Sequence, residues 1–233
     1  MPMTILRNAG LTLLTLASLS SPAAAQSVVD QGTFSIEIDG SVVGTEEFKI
    51  RRVGFNRSAI FIADGVVALG DESGSQEIRH LLRVSGSAGA AEAYELTLSG
   101  AEPLEITMNL ARPRFVSRFE SPEGQEEREF RAREETRIIE VMVAHHYYFV
   151  RDLQEGESAP IIVPRDRREG TISTGSIVEE ELRLGRNRVA ARRVSFMDDA
   201  SEHRVWFDRQ GRVLRVEIPD LGYVATRTDL VGE

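Results

Sequence analysis

The stretch "PLEITMNL", Pro103–Leu110, decides the fold class. Leu104, Ile106, Met108 and Leu110 fall on one side of an extended chain, with Glu105, Thr107 and Asn109 on the other. Side chains of a strand alternate between its two faces, so an apolar period of two reads as a half-buried strand. "TFSIEID" repeats the pattern with Phe34, Ile36 and Ile38 on one face, and Asp39-Gly40 is the residue pair that tight hairpin turns favour. "EEFKIRR", "AIFIAD", "EIRHLLRV" and "AYELTLSG" continue it, punctuated by the turn clusters "GDESGS" and "SGSAGAA".

Further along, "REFRARE" reads as an edge strand kept solvated by its charges. "GTISTGSIVEEELRL" and "RVAARRVSFM" read as a pair turning at Gly185-Arg186-Asn187. "EHRVWF" and "RVLRVEI" pair across Asp208-Arg209-Gln210-Gly211, and a last strand covers Tyr223 to Leu230. Such strands need a second layer or closure to bury their apolar faces. The expected fold is all-β: one domain over 26–233, a strongly curved antiparallel sheet or open barrel. One short helix lies against its concave face.

Residues 1–25 read as a signal peptide, with Arg7 ahead of the apolar run Ala9 to Leu19 and an A-x-A site at Ala23-Ala24-Ala25. No cysteine follows that run, so an unlipidated chain starting at Gln26, periplasmic or secreted, is expected. No later segment is apolar enough for a membrane-spanning helix. With no cysteine in the chain, packing rather than disulfides must stabilise it, and thiolate chemistry is excluded. The formal charge of −9 argues against nucleic acid as a partner.

"VMVAHHYYFVRDL", Val141–Leu153, interrupts the alternation. On a helical wheel Met142, Val143, His146, Phe149, Val150 and Leu153 share one face, while Ala144, His145, Tyr148, Arg151 and Asp152 share the other. An amphipathic helix of about three turns is therefore expected. Its two histidines would diverge, no H-E-x-x-H motif accompanies them, and neither metal nor cofactor is expected. His146 reads as a core histidine. No catalytic residues emerge either: the serines lie in turns rather than a nucleophile elbow, Glu179-Glu180-Glu181 alternates across a strand, and Asp198-Asp199 sits in a turn. Trp206, the single tryptophan, reads as core, with the sharper alternative that it lines a cavity.

"HHYYFVRDLQEGES", "VPRDRREGTI" and "VWFDRQGRVLRVEIPDLGYVATR" resemble a family of exported bacterial envelope proteins known only as a domain of unknown function. "GTFSIEIDGSVVGTEEFKI" is similar to that family's opening hairpin. The resemblance implies a sheet-plus-helix build like the curved sheets of LolA-type lipoprotein carriers, and it carries no catalytic residue across. The expected function is non-enzymatic: a periplasmic binding module for a hydrophobic small molecule or lipid. Phe34, Ile36, Ile106, Met108, His146, Phe149 and Trp206 would line its interior. The alternative is an accessory envelope protein that binds another protein through exposed sheet edges.

Overall fold

The computed structural model describes residues 26–54, 58–71, 74–86 and 89–232. The expected signal peptide lies outside the described residues. Fifteen strands follow in chain order: β1 Gln26–Ile38, β2 Ser41–Val53, β3 Ile60–Asp71, β4 Gly74–Ser85, β5 Ala90–Ser99, β6 Leu104–Ala111, β7 Arg114–Ser121, β8 Gly124–Arg131, β9 Arg137–Ile138, β10 Ser158–Val163, β11 Arg168–Leu184, β12 Asn187–Met197, β13 Glu202–Phe207, β14 Val213–Ile218 and β15 Tyr223–Arg227. They form one sheet in the order β8-β7-β6-β5-β4-β3-β2-β1-β15-β14-β13-β12-β11-β10-β9.

All neighbours are antiparallel except the short β9–β10 pair. The hairpins read from the turn residues are present: Asp39 and Gly40 both take positive φ between β1 and β2, and β11–β12 and β13–β14 turn where expected. β8, the charged strand, is indeed an edge. No ladder joins the two edges. β8 instead meets the β10–β11 hairpin, where Arg131 donates its backbone N–H to Glu169 at 2.6 Å and Arg128 reaches the Arg167 carbonyl at 2.9 Å.

The main core takes alternate residues from nearly every strand, including Phe34, Ile36, Ile106, Met108 and Phe207. A smaller cluster of Leu182, Leu184, Ala191, Trp206 and Leu214 is separate from it. Val205 and Phe207 belong to the first cluster and Trp206 to the second, as alternation along β13 requires.

The expected three-turn helix is not there. Val141–Leu153 holds a single 3-10 helix, Ala144–Phe149, and all six of its residues are buried. Local chemistry explains this. Met142 takes φ 63°, a left-handed conformation no helix continues through, and Val143 offers no side-chain cap. His, Tyr and Phe are weak helix formers. With no solvent-facing side, the wheel's division into apolar and polar faces does not apply.

Candidate metal centre

Three strands and the 3-10 helix build one polar cluster inside the core. Inward positions of β2 carry Glu46, Phe48 and Ile50 in alternation, and those of β4 carry Ile78, His80 and Leu82. In the ladder Phe48 stands opposite Gly65 on β3, and Gly65 opposite His80. A Cβ at Gly65 would lie 2.9 Å from the Glu47 carbonyl oxygen and 3.0 Å from His80 Nε2. Glycine therefore lets the imidazole lie close over β3.

Glu46, fully buried, takes the role of the missing helix cap. Its carboxylate accepts the backbone N–H groups of Ala144 at 2.7 Å and His145 at 3.1 Å, and His145 Nδ1 at 2.6 Å. Helix starts leave N–H groups unpaired, and here a carboxylate 98 residues earlier in the chain satisfies two of them. With Nδ1 held by Glu46, the other ring nitrogen of His145, Nε2, is left without a partner among the described residues. That pairing of carboxylate and histidine recurs behind metal-binding imidazoles.

His146 differs. Its Nδ1 accepts the backbone N–H of Glu140 at 3.2 Å, so its proton sits on Nε2. Among the described residues neither ring nitrogen of His80 has a partner, nor has Nε2 of His145 or of His146. One nitrogen from each ring lies within 4.8 Å of the other two. The rings of His80 and His145 stack with centroids 5.0 Å apart, and His146 meets both edge-on. The histidines thus converge rather than diverge, which corrects the expectation drawn from the wheel.

Burial, then the neighbouring imidazoles, hold His80 and His146 well below the usual histidine range. Both rings are therefore neutral at pH 7 and keep a lone pair. Behind His146, Tyr94 donates to Glu140 at 3.2 Å and Arg165 pairs with Glu140 at 2.7 Å. Burial raises Glu140 despite Arg165, and burial raises Tyr94 further still with Glu140 beside it. Phe48 stacks on His145 at 5.0 Å and closes one side with apolar surface. Neutral imidazoles suit zinc, copper, nickel or iron, and a set without oxygen ligands does not suit calcium or magnesium.

Of the residues expected to line the interior, Phe34, Ile36, Ile106, Met108 and Phe149 are packed in the main core. His146 belongs to the histidine cluster, and Trp206 packs in the separate one, apart from the other six. Phe149 also borders a cavity of about 190 Å³ with Phe61 and Tyr148. Beside the 3-10 helix runs a groove of about 220 Å³, lined by Ile139, Val141, Tyr147, Val163, Ile218 and Leu221. His80 and Glu46 were missed by sequence reasoning. The available signal was a histidine and a carboxylate at inward, otherwise apolar, positions of "EIRHLLRV" and "EEFKIRR". No protein-family model, curated protein or solved structure matches this chain.

Proposed function

We propose that this is a metal-binding module of the exported kind, taking one transition-metal ion at His80, His145 and His146. One observation carries the reading: three buried histidine rings bring one nitrogen each within 4.8 Å of the others, and four of their ring nitrogens have no partner among the described residues. Each unmet buried polar atom costs about 1–3 kcal/mol, and proteins rarely tolerate several together without a purpose. A bound ion recovers that energy. The Glu46 carboxylate behind His145 supports the same reading, because it fixes the tautomer a ligand needs.

The test is to strip the purified protein with a chelator and titrate zinc and cobalt(II). One ion should bind per chain. Saturation at 100 times the dissociation constant should stabilise the fold by about 2.7 kcal/mol, read as a rise in melting temperature. If zinc, cobalt, copper and nickel all leave melting unchanged, a buried water bridges the rings and the reading falls.

A second reading, binding of a hydrophobic or lipid-like ligand as in LolA-type carriers, draws on the groove beside the 3-10 helix, whose apolar side chains stand among Asp166, Arg168, Asp198 and Asp220. Co-purified acyl chains, detected by native mass spectrometry, would favour it over the metal reading.

A further inference from the structure

We infer that the centre is a two-histidine metal site with an exchangeable small anion as a further ligand, and that His146 is the anion's hydrogen-bond donor rather than a ligand of the ion. This rests on the metal reading proposed above. The two kinds of histidine are told apart by what stands behind each ring. A ring that ligates through one nitrogen carries its proton on the other, and that proton needs an acceptor. His145 has one, the Glu46 carboxylate at 2.6 Å. His80 lacks such an acceptor, but no donor occupies either of its nitrogens, so one lone pair is free to turn to the ion. His146 faces a donor instead, the Glu140 N–H at 3.2 Å, so its Nε2 presents a proton to the centre.

Distance is compatible with a site of this size. A tetrahedral ion at ~2.05 Å holds its nitrogen ligands about 3.3 Å apart. The three nitrogens, one per ring, lie within 4.8 Å of one another, which leaves room among them for an ion and one small further ligand. Charge agrees as well. The three rings are 5 % exposed or less, Arg165 offsets Glu140, and Glu46 supplies a single carboxylate at the centre. A divalent ion there leaves one positive charge out of water, a costly state that a monoanion relieves. The anion is of the class that binds through one small atom: hydroxide, azide or a halide.

Cobalt(II) is the probe, followed by its visible absorption, with azide added after saturation. Wild type should take one cobalt ion, and azide should shift the bands. His80→Phe and His145→Phe should weaken cobalt binding at least about 100-fold, whereas His146→Phe should keep it within about tenfold. His146→Phe should also weaken azide about tenfold or more, and His146→Gln, which restores an N–H donor, should recover most of that loss. If His146→Phe and His146→Gln both abolish cobalt binding as the other two variants do, all three rings are ligands and the inference is overturned while the metal reading stands. Azide affinity unchanged in His146→Phe overturns it equally. A wild-type protein that takes no cobalt overturns both.

Discussion

Two of the buried polar clusters use their atoms in opposite ways. Around Arg227, 1 % exposed, the guanidinium donates to Asp30 at 2.8 and 2.9 Å, to Asp229 at 3.0 Å and to the Gln31 carbonyl at 2.6 Å. All three of its side-chain nitrogens are engaged. Around His80, His145 and His146, four nitrogens are left without partners. A closed network of this kind has nothing left to offer a ligand and ties β1 to β15. An unsatisfied one at the same depth is costly unless something else completes it. Burial of polar groups alone therefore does not mark a site; incomplete pairing does.

The largest effect is expected at Arg227. Arg227→Met leaves Asp30 and Asp229 without their cation and should cost about 3–5 kcal/mol in urea unfolding, with or without metal. A loss under about 1 kcal/mol would mean that the carboxylates find other partners and that the cluster is not a clasp.

Acid should separate the two clusters next. Unfolded histidines titrate near pH 6.5, whereas His80 and His146 in the fold are held lower, by burial first and adjacent imidazoles second. Below about pH 6.5 the unfolded chain binds more protons, so the metal-free protein loses stability as pH falls. The slope should reach up to ~1.4 kcal/mol per pH unit for each of these two rings, and the contribution is fully present above about pH 6.5. Denaturant midpoints that stay flat from about pH 7 to 5.5 would contradict it.

A subtler change sharpens the geometry. Gly65→Ala drives a methyl group against the Glu47 carbonyl and the His80 ring. It should cost about 1–3 kcal/mol, the usual range for overpacking, and displace His80 enough to weaken cobalt uptake. At the far end of the scale, Arg118→Ala removes an exposed pair with Glu127 at 3.3 Å and should change stability by less than about 0.5 kcal/mol.

The strands and most turns were legible because their causes are local. Alternation in "PLEITMNL" needs only neighbouring residues, and Asp39-Gly40 supplies its own positive φ. The error at Val141–Leu153 arose where the cause is distant. Glu46, from β2, caps the 3-10 helix, and no window around residue 144 contains it. His80 went unnoticed for the same reason. It acquires meaning only when β4 and the 3-10 helix bring three rings together, a pairing that spacing along the chain does not encode. The strand order shows one sheet of fifteen strands that is not closed into a barrel among the described residues.

That strand order has a consequence for how the molecule assembles. β1 and β15, the first and last strands, lie side by side in the middle of the sheet, and the edges come from the middle of the chain. Each half can zip as a meander of local contacts, but the midline forms only after nearly the whole chain has emerged. High contact order of this kind makes folding slow and leaves partly built sheets prone to mispair. A polypeptide made from its N-terminus would hold β1 waiting, with one margin unpaired, until residues 223–227 arrive to complete the seam.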